Sequence, residues 1–270
     1  MSEPATSAVA SVFDRAADVY DTTIPFFARF GARLVELADV HIGETVIDVA
    51  SGRGASLIPA ARAVGPTGRV LGVDLATTMV ERLQGDLARL GLDHASARIG
   101  DAQRLDVDDG AFDVGLCGFT LMLLPKPDCA VTELARATRP GGRVAVSMPT
   151  GAGPQWSFYG ELIAQFAPQA ERPLPPPPGS PLDLDALLRD AGLDEIRIVD
   201  ETEVFTFANS DAWWSWVWSQ GMRAFLEALP ADALEDLHTA ADARLAVFAA
   251  PDGSIPLHQN VRYGLAGRPA

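Results

Sequence analysis

The amino-acid sequence predicts an α/β protein with a doubly wound, mostly parallel sheet of seven strands. From residue 45 onward, short apolar runs alternate with amphipathic helical patterns, which is typical of β-α-β units. The helical patterns are long enough for right-handed crossovers between parallel strands. With 270 residues, 48% of them hydrophobic, the chain is large enough to bury a core without disulfides.

Seven segments carry the strand pattern, five in the first part of the chain and two in the last third. They are Thr45–Ala50, Arg69–Asp74, Ala95–Ile99, Ala111–Gly118, Arg143–Met148, Glu195–Phe207 and Val261–Leu265. Three crossover helices are predicted between the first five strands, each followed by glycine or proline, which commonly end helices. They are Ala55–Val64, Thr77–Leu90 with Thr77 as its cap, and Asp128–Thr138, closed by Pro140-Gly141-Gly142.

Further helices flank this core. The predicted ones are Val12–Tyr20, Phe26–Ala38, Gln155–Phe166 and Leu182–Ala191, with a tryptophan-rich and an alanine-rich helix within 209–250. We therefore expect an N-terminal helical lid (1–44), a ligand-binding core (45–149) and an insertion with a proline-rich linker (150–181). The last part (182–270) completes the sheet and carries a helical cap (209–250) before the last strand. The stiff linker is Glu171–Pro181.

The acidic balance of the chain argues against polyanionic partners. There are 36 acidic and 21 basic side chains, for a net charge of −15, whereas nucleic-acid binding depends on Lys and Arg neutralising phosphates. Cys117 and Cys129 cannot form a disulfide framework. The N-terminus lacks a signal-peptide pattern, and no segment approaches the ~18 apolar residues of a membrane span. We expect a cytoplasmic protein without membrane association.

A glycine loop follows the first strand, in the segment Asp48–Gly54 (DVASGRG). Glycines allow a ligand to approach the backbone, and the following helix offers free N–H groups. A dinucleotide-binding loop would have a third glycine where this chain has Leu57, and the phosphate-loop signature is absent. A nicotinamide-dependent oxidoreductase is therefore disfavoured. Asp48, which precedes the glycines, suits a ligand with a positive group.

Three acidic residues are predicted at the carboxyl ends of adjacent strands: Asp48, Asp74 and Asp101. Asp74 follows Gly54 by 20 residues, where doubly wound folds place a carboxylate on ribose hydroxyls. Open α/β sheets bind ligands in the crevice outside these strand ends. The acids therefore predict a binding site at this edge.

With these segments in this order, the chain resembles the class I S-adenosylmethionine-dependent methyltransferases, in particular the branch that acts on small molecules and quinones. The matching segments are VIDVASGRG, GVDLATTMV, GDAQRLDVDDGAFDVG and ARATRPGGRVAV. FDRAADVYD is similar to the N-terminal helix that closes over the cofactor in that branch. The resemblance covers about Val12–Met148 and implies a Rossmann-like fold. The chain departs from the family at Ala50, where glycine is usual, and Pro59 predicts a kink in the first crossover helix.

The resemblance implies S-adenosylmethionine as the cofactor and S-adenosylhomocysteine as its product. By position, the segment from Asp48 through Ala50, Ser51 and Gly52 to Gly54 surrounds the methionine moiety. Asp74 binds the ribose hydroxyls. For the remaining contacts, Leu75 and Met79 flank the adenosine, and Asp101 and Ala102 flank the adenine. Cys117 lies beside the sulfonium, with any contact made through its backbone, and Tyr20 reaches the carboxylate from the lid.

The aromatic content of the cap and insertion predicts an apolar small-molecule acceptor, methylated at oxygen, nitrogen or carbon in secondary metabolism. The candidate acceptor contacts are Trp156, Tyr159, Trp213 and Trp214, although packing would also explain a tryptophan-rich helix. No motif nominates a catalytic base, and the four histidines lack metal-ligand spacing. The alternative function is a methyltransferase-like cyclase or pericyclase that transfers no methyl group. The sequence leaves monomer and homodimer open.

Overall fold

A computed structural model describes residues 3–153, 156–172, 174 and 182–270. The strands are β1 (Thr45–Val49), β2 (Arg69–Asp74), β3 (Ala95–Ile99), β4 (Phe112–Gly118), β5 (Thr138–Ala152), β6 (Asp194–Phe207) and β7 (Ile255–Gly267). The helices are α1 (Glu3–Ala16), α2 (Phe26–Leu37), α3 (Leu57–Val64), α4 (Thr77–Leu90), α5 (Pro127–Ala137), α6 (Ser157–Phe166), α7 (Leu184–Asp190), α8 (Ser210–Trp218), α9 (Arg223–Leu226) and α10 (Ala231–Leu245).

The strands form a single seven-stranded sheet in the order β3-β2-β1-β4-β5-β7-β6. The pairs among β1 to β5 are parallel, and β7 runs antiparallel to both β5 and β6. This arrangement confirms the predicted fold class, including the helical cap between the last two strands. Among the described residues, no helix is long and apolar enough to cross a membrane.

Successive strand residues point to opposite faces of the sheet. Because both faces carry apolar side chains, helices cover both of them. On one face Val46 and Leu116 pack with Phe30 of α2 in a core that continues into the cap. On the other face Ile47 packs with Leu134 of α5. The strand ends between these two layers form the edge on which the binding site is built.

The crossover helices differ from the prediction mainly at their ends. Helix α3 begins at Leu57, two residues later than expected, so Pro59 lies in the first turn. Proline is tolerated there because its missing N–H has no partner within the helix, and the predicted kink is not required. Helix α5 ends at Ala137, and the predicted stop Pro140-Gly141-Gly142 lies inside β5 instead.

The lid helix also differs, because it spans Glu3–Ala16 and the residues up to Asp21 form turns. Thr77 does not cap α4. The N-cap position of α4 is Ala76, whose side chain makes no capping hydrogen bond. The N–H of Thr78 instead donates to Oδ1 of Asp14 in the lid at 2.7 Å. The lid therefore supplies the missing acceptor at the start of α4.

The last three strands are longer than the alternating pattern indicated. Strand β7 begins at Ile255 rather than Val261, because its first residues pair with the end of β6 and with Gly151 and Ala152 of β5. This antiparallel extension carries α8, α9 and α10 over the edge of the sheet. Of the predicted linker, residues 173 and 175–181 lie outside the described residues.

Candidate functional site

A cavity of about 350 Å³ lies at the carboxyl ends of the parallel strands, under the lid and the cap. Its wall has two parts with different chemistry. We call the side formed at the ends of β1, β2 and β3 the acidic half; it contains Asp48, Asp74 and Asp101. We call the part of the lining that carries phenylalanine and tryptophan rings from α2, α8 and the end of β4 the aromatic half; it contains Phe26, Phe27, Phe30, Phe119 and Trp216.

The glycine loop is held in place by Asp74. One carboxylate oxygen accepts the N–H of Gly52 at 2.7 Å, and the other accepts the N–H of Ala76 at 2.8 Å. Ala50 has a φ of 55°, in the left-handed region that an L-residue adopts at a cost of about 1–2 kcal/mol. Glycine adopts this backbone freely, which gives a physical reason for the glycine usual at this position.

Asp48 is a buried carboxylate without full compensation. Only 2% of the residue is exposed, and its Oδ2 has no hydrogen-bond partner among the described residues. Burial, and then the neighbouring Asp74, raise the pKa of Asp48 to about 8. Burial also raises the pKa of Asp74, although the N–H groups of Ala76 and Gly52 oppose this. Both directions indicate a site that favours a positively charged ligand.

The other predicted residues of the acidic half extend the wall beyond Asp74. Leu75, Met79 and Ala102 present apolar surface to the cavity. Asp101 follows β3, and its Oδ1 accepts the N–H of Gln103 at 2.8 Å. Ser51 also lines the cavity. The structure therefore brings most of the predicted cofactor-binding residues to one surface.

Gly54 and Cys117 lie apart from this surface. A Cβ atom on Gly54 would come within 2.6 Å of Leu83 Cδ1, so this glycine permits helix packing rather than approach of a ligand. Cys117 is buried in the core with Ile47 and Val146, where desolvation raises the pKa of its thiol to about 12. At the end of β4, Gly118 and Phe119 line the cavity instead. The strand alternation turns the Cys117 side chain to the other face.

Tyr20 lies in the turn after α1, at the boundary of the two halves. Its ring stacks on Phe27, with centroids 4.7 Å apart and planes 9° apart, and it lines the cavity. Burial, followed by the charges of Asp21 and Asp74, raises the pKa of Tyr20 well above its usual value. Its phenol is therefore neutral at physiological pH.

Among the predicted acceptor contacts, Tyr159 lines the cavity. Trp156 and Trp213 belong to the aromatic core beneath the cap, 6.2 Å apart between ring centroids. Trp214 stacks on His238 at 4.4 Å. The tryptophan of α8 that lines the cavity is Trp216. Because α8 is apolar on more than one side, its sequence could not reveal which ring would face the ligand.

Sequence reasoning missed most of the aromatic half. Phe26, Phe27 and Phe30 lie in the predicted helix Phe26–Ala38, but nothing in its pattern indicated a ligand contact. Phe119 carried no signal either, although the structure distinguishes it by a φ of 54°, rare for a bulky residue. Its ring stacks on Phe30 with centroids 4.7 Å apart. This backbone turn directs the ring toward the lid rather than along the sheet.

Ionic contacts hold the lid over the cavity. Arg53 donates to the carbonyl of Ala17 at 2.6 Å and to Asp86 of α4 at 2.5 Å. Arg15 of the lid pairs with Glu227, which follows α9, at 2.6 Å. The lid is therefore attached both to the core and to the cap.

Comparisons with known proteins agree with this geometry. A family model described as a methyltransferase domain matches residues 41–172. Nocamycin O-methyltransferase from Saccharothrix syringae is 33% identical over 237 residues, which cover 82% of this chain and 85% of that protein. Aklanonic acid methyltransferase DauC from Streptomyces sp. (strain C5) is 32% identical over 163 residues, 60% of this chain and 74% of that protein.

Among solved structures, the cyclase SpnF aligns with a TM-score of 0.51 at 19% identity, over 88% of this chain and 82% of that one. At this identity the match concerns the fold alone.

Proposed function

Because the chain belongs to the S-adenosylmethionine-dependent methyltransferases, we propose that it methylates an apolar, aromatic small molecule of secondary metabolism, at an oxygen atom. The observation that carries the proposal is the division of one cavity into an acidic half and an aromatic half. The two similar enzymes are named for nocamycin and aklanonic acid, and the first is named an O-methyltransferase. Both names support a small-molecule acceptor.

The acidic half fits the cofactor on its own chemistry. Among the residues that the structure describes, the buried Oδ2 of Asp48 has no hydrogen-bond partner, and it suits the positive groups of S-adenosylmethionine. Asp74 retains lone pairs beyond its two N–H contacts, and these suit ribose hydroxyls. Leu75, Met79 and Ala102 provide apolar surface for the adenine. When bound, S-adenosylmethionine supplies an electrophilic methyl group on a sulfonium centre.

The remaining residues align the acceptor and exclude water. The rings of Phe26, Phe119 and Trp216 provide flat apolar surface in the same cavity as the carboxylates. Tyr20 and Phe27 close the cavity from the lid side. Alignment of acceptor and methyl donor in a dry cavity supplies much of the rate acceleration in reactions of this kind. We assign positioning and desolvation to these residues.

We also propose a small-molecule rather than a nucleic-acid partner and a cytoplasmic location. The net charge of −15 supports the first of these. Of the residues that the structure describes, no Lys, Arg or His lines the cavity. The four-part division of the chain (1–44, 45–149, 150–181 and 182–270) is likewise proposed, with the lid and the cap as the parts that cover the ligand.

The test combines cofactor binding with product analysis. S-adenosylhomocysteine and NAD are titrated calorimetrically, and a panel of hydroxylated aromatic acceptors is incubated with trideuteromethyl S-adenosylmethionine. We expect micromolar binding of S-adenosylhomocysteine but not NAD, and products that carry one trideuteromethyl group on oxygen. Binding of NAD alone would contradict the cofactor assignment. Rearranged products without label would favour a cyclase that binds the cofactor and transfers nothing.

A further inference from the structure

One polar residue interrupts an apolar face of β7 at the cavity. The inward-facing residues Ile255, Leu257, Val261 and Tyr263 are buried and pack in the core below the lid and cap. Gln259 occupies the same face, is 8% exposed and lines the cavity. A buried polar side chain among apolar neighbours is costly without partners, so its partners are informative.

The structure determines which way the Gln259 amide points. Its Nε2 donates to the carbonyl oxygens of Gly151 at 2.7 Å and Asn260 at 2.8 Å. Because both of these partners are acceptors, the amide nitrogen must face them. The two amide hydrogens are thereby used, and Oε1 remains as the acceptor that Gln259 offers to the cavity.

A bulge in β5 creates this arrangement. The β5–β7 register shifts between Pro149 and Gly151, and Gly151 has a φ of 122° that disfavours any side chain. The shift leaves the Gly151 carbonyl free to accept the Gln259 amide. Bulges next to binding sites commonly re-aim a side chain. Here the bulge holds a hydrogen-bond acceptor at the edge of the aromatic half.

The surroundings of Gln259 select for an uncharged ligand. Neutral polar residues that line the cavity with Gln259 include Thr120, Ser147, Tyr159 and Gln220, and the carboxylates lie at the ends of β1, β2 and β3. An amide oxygen repels a carboxylate or phosphate but accepts a hydroxyl hydrogen. The aromatic rings complete a site for a flat molecule that carries an un-ionised hydroxyl group.

We propose that Gln259 Oε1 accepts a hydrogen bond from an un-ionised hydroxyl of the methyl acceptor, so that Gln259 selects aromatic acceptors with such a donor. This inference rests on the proposed function and names the class of acceptor. Gln259 is then a specificity-determining residue of the aromatic half. Its contact lies outside the set of cofactor-binding residues.

The test uses two probes of nearly equal shape, 2-naphthol and 2-methylnaphthalene, with protein saturated by S-adenosylhomocysteine. Equilibrium dialysis measures both affinities. In the wild type, we expect 2-naphthol to bind at least as tightly as 2-methylnaphthalene, because Gln259 compensates the loss of water by the hydroxyl. In Gln259→Met, the affinity for 2-naphthol relative to that for 2-methylnaphthalene should fall about 10-fold.

Asn260→Met is the matched control. Asn260 lies on the opposite face of β7, where its side chain accepts from Thr202 Oγ1 at 2.7 Å. The same polar-to-apolar change there should leave the probe ratio unchanged. An unchanged ratio in Gln259→Met, or an equal change in both variants, would overturn the proposal.

Two further measurements separate the possible failures. If Gln259→Met does not fold, the two affinities of the wild-type protein are the test. The Gln259 assignment is overturned if 2-naphthol binds about 10-fold more weakly than 2-methylnaphthalene, or if neither probe binds. Titration of S-adenosylhomocysteine into the same proteins tests the proposed function separately. If the wild type does not bind S-adenosylhomocysteine, the proposed function is contradicted. If it does bind, a failure of the probe test concerns Gln259 alone.

Discussion

The two halves of the cavity are assembled in different ways. Each acid of the acidic half belongs to a short local unit, a strand followed by a turn, and the parallel sheet brings three such units together. The aromatic half draws Phe26 from α2, Phe119 from the end of β4, Trp216 from α8 and Gln259 from β7. These residues are far apart in sequence and meet through the packing of lid and cap against the sheet.

This difference assigns different energetic roles to the two halves. The protein stabilises the ionised form of Asp48 in the acidic half poorly, as the raised pKa of Asp48 indicates. The acidic half therefore gains most from a positively charged ligand. The aromatic half offers flat apolar surface and one oriented amide oxygen, so its binding energy comes from desolvation and shape. One half suits a common cofactor, and the other suits an individual acceptor.

The largest effect is expected from the acidic half. Asp74→Ala should weaken S-adenosylhomocysteine about 10- to 150-fold, because a charged hydrogen bond contributes about 1.5–3 kcal/mol. Calorimetric titration measures this change. Asp74→Asn is the control, since it keeps one carbonyl oxygen for the loop N–H groups and should give an intermediate loss. An Asp74→Ala protein with wild-type affinity would remove Asp74 from the site.

A substitution in the aromatic half should leave the cofactor untouched. Trp216→Leu removes a cavity ring, and we expect 2-naphthol to bind about 5- to 10-fold more weakly with unchanged S-adenosylhomocysteine affinity. Trp213→Leu is the matched control, because Trp213 is buried in the core and does not line the cavity. It should lower Tm yet retain the probe. Equal losses of 2-naphthol in both variants would contradict the role of Trp216 as a cavity ring. Weaker S-adenosylhomocysteine binding in Trp216→Leu would show that the two halves are not separable in this way.

The pH dependence should also be confined to the acidic half. With its pKa near 8, Asp48 is mostly protonated at pH 7 in the free protein, whereas a positive ligand favours its ionised form. S-adenosylmethionine should therefore bind roughly 5-fold more tightly at pH 8 than at pH 7. Asp48→Asn should not show this gain in affinity between pH 7 and pH 8. Because titration of the ligand itself affects both proteins equally, the difference between wild type and Asp48→Asn reports on Asp48. Equal pH dependence in both proteins would contradict the assignment.

The same shift has a consequence for stability without ligand. Because the folded pKa of Asp48 is raised above its unfolded value, its stabilising contribution is complete below about pH 4 and declines as pH rises through about 8. Asp48→Asn should therefore gain stability relative to the wild type over that interval. Thermal unfolding at several pH values measures the difference.

The smallest effect is expected at the loop backbone. Ala50→Gly relieves the positive φ, worth about 1–2 kcal/mol, but adds about 0.5–1 kcal/mol of unfolded-state entropy. The expected net gain is about 0.5–1 kcal/mol, measured by denaturant unfolding. S-adenosylhomocysteine affinity should be unchanged because the loop geometry is kept. A loss of stability would mean that the methyl group of Ala50 makes contacts that outweigh the strain.

Local sequence patterns were sufficient for most of the fold. Thr77–Leu90, Arg69–Asp74 and Ala95–Ile99 were predicted with the bounds that the structure has. The errors occur where a distant segment decides the boundary. Residues 255–260 are strand because β6 pairs with all of them and β5 pairs with the last two. The stop expected at 140–142 lies within β5 between Thr138, which pairs with Phe112 of β4, and Arg143, which pairs with Val114 of β4 and Gly267 of β7.

The amino-acid pattern was enough to predict the sheet, the position of the three strand-end acids and, through resemblance, the methyltransferase family. These features depend on periodicity and on residues close in sequence, so they are visible in a linear pattern. Three-dimensional packing was needed to learn that Trp216 rather than Trp213 lines the cavity, that the Cys117 side chain points away from it, and that Gln259 lines it. An apolar helix or a strand has more than one buried side, and only its packing partners determine which side faces a cavity.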